Sequence, residues 1–307
     1  MRFDQVAVAL APRSTANCLD LAVCFVRHYL RPIAGLWATV ALPGCALVYV
    51  LVDRYEFELP LAFLVFFGLT SPLGVLLMAG AGPCVFGEPF TYRGTWSRLG
   101  WRGVGLLLRG IALRTAIAPG LVVFVFAGWI LSLVGQVVYV FLAALGVMLL
   151  VLGWYLAVRT GFFVEQSVLS KMARHLHDRR TNELLQGEIG DLVMRSAGIS
   201  LFCGLLWAVL LLTFDFASSH LLGLPILLGR LKSDASYLEN FWDKVTRPLE
   251  FLWSDPIVIT ATLAVAFLVY PIGRLAWFFC YMDVRVRRDC WDMELSIIQE
   301  AERLDAT

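Results

Sequence analysis

Charge is scarce in this chain. Asp, Glu, Lys and Arg make up 16% of its 307 residues, where a soluble domain carries about 25%. Four stretches, residues 33–52, 59–80, 116–134 and 137–158, contain none at all. Metal-binding spacing is missing as well. The seven cysteines include no CxxC pair, so neither a metal site nor a disulfide framework is indicated, and the thiols read as reduced and structural. No acidic residue lies deep in any apolar run. That argues against a proton-coupled carrier with a buried carboxylate relay, and against an intramembrane aspartic protease. No nucleophile–base pair stands out, which disfavours an enzyme. The formal net charge of +1 offers no global field for nucleic acid. The N-terminal apolar run Val6–Ala11 is short for a signal peptide and stops at Pro12-Arg13. Insertion is therefore expected to be driven by the first long apolar run.

What the chain has instead is grease in blocks. Hydrophobic residues reach 59% and the mean hydropathy is +0.75, but they cluster in runs and are not spread at helical or strand period. A hydrocarbon core about 30 Å thick needs about 20 apolar residues in a helix. The four uncharged runs satisfy that length. Two more candidates are 197–214 and 257–279, the latter carrying Pro271, Gly273 and Arg274 near its end. Six spans are expected.

Orientation follows from Lys and Arg. With the N-terminus inside, 20 of the 25 basic residues fall in inside segments and five, Arg54, Arg230, Lys232, Lys244 and Arg247, outside. Both termini are expected in the cytoplasm.

The inside segments share a plan: an amphipathic stretch just before a span. Ser14 to Leu30 opens with an N-cap serine. It carries the apolar stripe Leu19, Val23, Val26 and Leu30, with Asp20, Arg27 and Arg31 off that face, and Pro32 is expected to end it. Thr95 to Leu108 sets Trp96, Leu99 and Leu106 against Arg98, Arg102 and Arg109. The third begins near Glu165, with Val168, Leu169, Met172, Ala173 and Leu176, followed by an element from Glu183 to Met194. The unit of inside helix, span, outside turn and span thus recurs three times at roughly 70–80 residues, although identity between units is too thin to prove duplication. Basic helices of this kind lie in the headgroup plane with arginine toward anionic lipid, or serve as a docking surface for a cytoplasmic partner.

Residues 215–256 form the one long outside loop. It is net acidic and aromatic, with a capping box at Ser236–Glu239, which fits an interfacial belt or an external binding surface. His175 and His177 are two apart on an expected helix, so they point in different directions and do not share a metal there. Arg274 is an intramembrane arginine, a functional-site candidate by default. Snorkelling to the cytosol, a structural pair or a place on a substrate pathway are its open roles.

The closing segment reads Pro271-Ile-Gly-Arg274-Leu-Ala-Trp-Phe-Phe-Cys-Tyr281-Met-Asp283-Val-Arg285-Val-Arg287-Arg288, then an acidic amphipathic stretch through Glu294. Phe86-Gly87-Glu88-Pro89 follows the second span, and Arg179-Arg180 with Gly190-Asp191 precede the fifth. These residues resemble the closing motif and layout of uncharacterised bacterial multi-pass membrane proteins. Those are distantly similar to the membrane domain attached to some glycerophosphodiester phosphodiesterases. The resemblance implies a bacterial inner-membrane protein without an assigned reaction, and its members' association with other membrane proteins and AAA ATPases implies a component of a larger assembly. The phosphodiesterase activity belongs to a separate soluble domain, for which this chain has no room. Within the motif, Asp283 is placed to pair with Arg285 or Arg287, and the arginines to pin the span end to phosphate headgroups.

The expected fold class is all-α integral membrane, with six transmembrane helices and cytoplasmic interfacial amphipathic helices. Its parts are an N-terminal cytoplasmic segment 1–32, a membrane domain 33–282 and a charged cytoplasmic helix 283–307. Candidate functional or contact residues are Arg274, Tyr281, Asp283, Arg285, Arg287, Arg179 and Arg180. No catalytic residue, cofactor or metal is expected. Expected partners are anionic membrane lipids and other membrane proteins, with no nucleic acid. The leading role is a non-catalytic scaffold or assembly component; a permease or lipid-handling protein is the alternative.

Overall fold

The computed structural model describes residues 13–57, 59–85, 87–114, 136–162, 164–165, 187–221, 223 and 255–289. Among the described residues all regular structure is helical: α1 Thr15–His28, α2 Leu30–Tyr55, α3 Leu59–Val85, α4 Tyr92–Arg114, α5 Gln136–Thr160, α6 Ile189–Leu221 and α7 Pro256–Asp289. Four of them are long and apolar enough to cross a bilayer: Leu30–Tyr55, Leu61–Val85, Ile189–Leu221 and Pro256–Arg288. The expected span 137–158 falls within α5, whose apolar described length is Ala144–Arg159. The expected span 116–134 lies outside the described residues, as do the stretch 166–186 with its two histidines and the aromatic loop 224–254.

The helix ends depart from the sequence reading in instructive ways. Ser14 does cap α1, its hydroxyl accepting from the Asn17 N–H. Pro32, however, does not end that helix. The break comes at Tyr29, and Pro32 sits in the first turn of α2, where a missing N–H leaves no bond unmade. The buried stripe of α1 is Cys18, Ala22 and Phe25, about 100° around the helix from the expected one. Val23 and Leu30 of that expected stripe are 41% and 58% exposed. The helix packs on a protein neighbour, α7, and that neighbour selects the inward face.

Charged residues also extend the spans as helix. The element expected up to Met194 runs without a break into the fifth span as α6, which continues to Leu221. The division at 282/283 has no structural counterpart, because α7 continues through Asp289 with Asp283 and Arg285 buried.

α7 is the hub. It packs against α1, α2, α3 and α6. Phe267 meets Phe66 of α3 edge-on at 4.7 Å and lies against Gly44 of α2, where a Cβ would stand 3.6 Å from its ring. α6 runs antiparallel beside α7. Arg195 near its start reaches Asp283 near the end of α7, while Trp207 further along donates to the Thr262 carbonyl near the other end. α4 packs on α3 and bends at Gly100, whose φ of 44° is open to glycine at little steric cost.

Candidate functional site

A linked group of ion pairs among the described residues lies at the bundle end where α1 and α6 begin and α7 finishes. On α6, Asp191 in the first turn and Arg195 are one turn apart, and Nε of Arg195 donates to Asp191 Oδ2 at 2.7 Å. This spacing favours an ion pair, and the helix N-terminus favours the carboxylate. On α7, Asp283 and Arg287 repeat the spacing, with Arg287 Nη2 donating to Asp283 Oδ2 at 2.7 Å. Antiparallel packing then joins the two pairs. Arg195 Nη1 donates to Asp283 Oδ2 at 2.6 Å, and Arg287 Nη2 approaches Asp191 Oδ2 at 3.5 Å.

The second oxygen of Asp283 ties in the N-terminal segment. Its Oδ1 accepts the Arg13 backbone N–H at 2.6 Å, just ahead of α1. One fully buried carboxylate thus joins three stretches of chain. Two carboxylates face two guanidiniums, so the four charges sum to zero, the condition for keeping charge out of water at tolerable cost. At the rim, Arg288 Nε stands 3.5 Å from Glu188.

A second buried pair lies deeper. Arg274 Nη1 meets Glu165 Oε1 at 2.7 Å, with the glutamate side chain wholly buried and the arginine nearly so. Nine residues separate Arg274 from Asp283, about 13 Å along the helix. The route by which Glu165 arrives is set by Gly161. A Cβ there would stand 2.8 Å from the Trp277 indole nitrogen and 2.9 Å from the Ala157 carbonyl. Its absence lets the chain after α5 pass close to α7. Phe162 then stacks on Trp277 at 4.9 Å and meets Tyr281 at 5.1 Å. Trp154 of α5 donates to the Ser196 hydroxyl of α6 at 2.8 Å, closing the same end.

The site residues named from sequence are thus dispersed in role. Asp283 and Arg287 come together, 2.7 Å apart. Arg285 is buried. Tyr281 is buried against Phe162, and Arg274 is paired with the buried Glu165. Arg179 and Arg180 lie outside the described residues. Sequence reasoning did not name Asp191, Arg195 or Glu165 as site residues, although Asp191 stands in the quoted Gly190-Asp191 motif. The first two carried a usable signal, an Asp and an Arg four apart opening an apolar helix; Glu165 carried none. Among the described residues, no group of three or more His, Cys, Asp or Glu side chains is placed to hold a metal ion. No family model, curated protein or solved structure matches this chain.

Proposed function

We propose that the chain is a non-catalytic integral membrane protein, a scaffold or assembly component of a bacterial inner-membrane complex, with both termini in the cytoplasm. The observation that carries this reading is the neutral cluster of Asp283, Arg195, Asp191 and Arg287. Its charges are spent on one another, fastening α1 and α6 to α7 and presenting one ordered face at that end. At the far end of α1 from the cluster, Arg27 and Arg31 stand exposed, as do the apolar side chains Val23 and Leu30. This arrangement suits an interface with anionic headgroups.

Affinity capture of the full chain in mild detergent is the test. A fixed set of membrane proteins should be recovered with the wild type and lost with Asp283→Asn, which unfastens α1. Reproducible recovery of no partner overturns the proposal. The orientation is checked separately. The exposed thiol of Cys24 on α1 should react with a membrane-impermeant maleimide in inside-out vesicles and be protected in right-side-out ones; the reverse pattern overturns a cytoplasmic N-terminus.

A permease or lipid-handling role is the second reading, favoured by the buried Arg274–Glu165 pair within the helical interior. It requires water near mid-membrane. A thiol introduced by Tyr270→Cys, one turn deeper on α7, should then react with a small aqueous reagent. Protection from that reagent removes this reading.

A further inference from the structure

α4, whose stretch Thr95 to Leu108 the sequence places in the headgroup plane, turns back along α3 instead. The turn after α3 is pinned by Glu88, which pairs with Arg98, and by Phe90, which fills the space beside Gly80. From there α4 stays on α3 as far as Gly110, where a Cβ would collide with the Ser71 hydroxyl. Ser71 stands fourteen residues before the end of α3 at Val85, about 21 Å along the helix and near the middle of a span. A helix lying flat in the headgroup plane would touch only the end of α3.

α4 carries Arg93, Arg98, Arg102, Arg109 and Arg114 and no acidic residue. Arg102 and Arg109 each precede a buried glycine. They are seven positions apart, so they lie within about 20° of one another around the helix, in the part of α4 that runs beside the span. Gly105, between them, is exposed and has nothing within 4 Å of the position a Cβ would take, and Leu108 is 63% exposed. This flank of α4 is therefore open. Arginine at such depth is reached by water and phosphate through local thinning of the bilayer. Nearer the start of α4, Arg93 is exposed beside Tyr92 and Trp96, whose rings lie 6.4 Å apart, and such aromatic pairs suit the headgroup level.

We infer that this flank of α4 is a groove that takes an anionic phospholipid headgroup below the membrane surface. The phosphate sits at the register of Arg102 and Arg109, and the acyl chains run beside Leu108. A guanidinium fork matches two phosphate oxygens. The single sign of charge along α4 selects a headgroup of net negative charge. Phosphatidylcholine carries the same phosphate beside a cation that arginines repel. The inference requires only that the chain sits in a bilayer, so it stands apart from any pathway at Arg274. Protection of Tyr270→Cys removes that pathway and leaves the groove on α4.

The test uses the full chain with Gly105→Cys in nanodiscs of phosphatidylcholine, with and without phosphatidylglycerol, treated with neutral iodoacetamide and mapped by mass spectrometry. The native exposed thiol of Cys24 on α1 is the internal reference. The thiol introduced by Gly105→Cys should react in phosphatidylcholine discs. A ligand at about ten times its dissociation constant leaves about one site in ten open, so phosphatidylglycerol should slow that reaction about tenfold. The rate at Cys24 should stay nearly unchanged. The slowing should disappear when Arg102→Gln and Arg109→Gln are added together, and its persistence there overturns the inference. Should those variants not fold, the contrast between the two thiols of one chain decides by itself. No reaction at the introduced thiol in either disc makes this flank of α4 dry and overturns the inference. Equal rates in the two discs, or equal slowing at Cys24, overturn it as well. Slowing by inorganic phosphate in phosphatidylcholine discs assigns the groove to a free anion and overturns the lipid assignment.

Discussion

Asp283 on α7 and Arg195 on α6 stand 88 positions apart in the chain and meet through a 2.6 Å charge-assisted bond in the protein interior. The carboxylate divides its labour: one oxygen receives two guanidiniums, the other the backbone at the start of α1. Neither helix end would be stable at this depth alone, since an isolated buried charge is strongly disfavoured. Each end is the reason the other can be charged.

Replacing Asp283 by Asn keeps the shape and removes the charge. Arg195 and Arg287 would then share only the half-exposed Asp191. Loss of one partner from a buried pair costs about 3–5 kcal/mol. By contrast Asp191→Asn, at the exposed edge, should cost no more than about 1 kcal/mol. Thermal unfolding in detergent should rank the variants in that order, with α1 of Asp283→Asn becoming sensitive to protease. Equal destabilisation by the two would show that the cluster is a surface ion pair and no joint.

The Arg274–Glu165 pair makes a different prediction, because its two members come from segments with no shared helix. Glu165→Gln or Arg274→Met alone leaves a buried charge without its counter-charge and should destabilise by about 3–5 kcal/mol. Changing both, with Glu165→Met and Arg274→Met, should recover most of that loss or exceed the parent, since apolar replacements of a buried pair are often neutral or better. A double variant less stable than either single one would assign the pair a role beyond charge neutralisation.

Lipid solvation explains what was legible. An apolar helix in a bilayer needs an unbroken run, and so α2, α3 and the middles of α6 and α7 were visible as runs. The helix ends were not. By charge, the sequence reads the stretch up to Met194 and the helix from Asp283 as cytoplasmic elements separate from the spans, yet the described parts, Ile189–Arg195 and Asp283–Asp289, continue the span helices, their charges neutralising one another across two helices. Hydrophobic periodicity placed α1 and put Leu19 and Val26 against the core, but the fully buried stripe lies one residue over and leaves Val23 and Leu30 exposed, because lipid and a neighbouring helix compete for apolar side chains and the sequence of one helix does not say which prevails. The contact of Glu165 with Arg274 depends on a glycine passing a tryptophan ring, a tertiary relation with no local signature.

That close passing recurs at Gly80 of α3. A Cβ there would lie 1.7 Å from Phe90 Cε2, and the Phe90 ring is buried among Phe25 and Tyr29. Gly80→Ala must therefore push the ring out of its niche, a strain of about 1–3 kcal/mol. Gly68 and Gly105 have nothing within 4 Å of the same position. Alanine at either should be neutral or gain about 0.5–1 kcal/mol from helix propensity. Scanning calorimetry of the three variants checks the contrast, and a harmless Gly80→Ala would mean that Phe90 does not occupy the niche.

Tyr29, at the break between α1 and α2, supplies a test by pH. Its hydroxyl donates to the Cys84 sulfur, and that bond first, with burial second, pushes the phenol up to about 12 from its ordinary 10.0. The folded state thus holds this proton more tightly than the unfolded chain. Stability from the neutral phenol is present in full below the ordinary value and is lost as pH rises through the window from 10.0 to about 12. Tyr29→Phe, which lacks the ionisable group, should be less stable than the parent at neutral pH. The gap should close across that alkaline window. Unfolding midpoints of the two proteins measured in parallel read the difference directly, with other titrations common to both. A gap constant with pH would mean that the bond to Cys84 does not form.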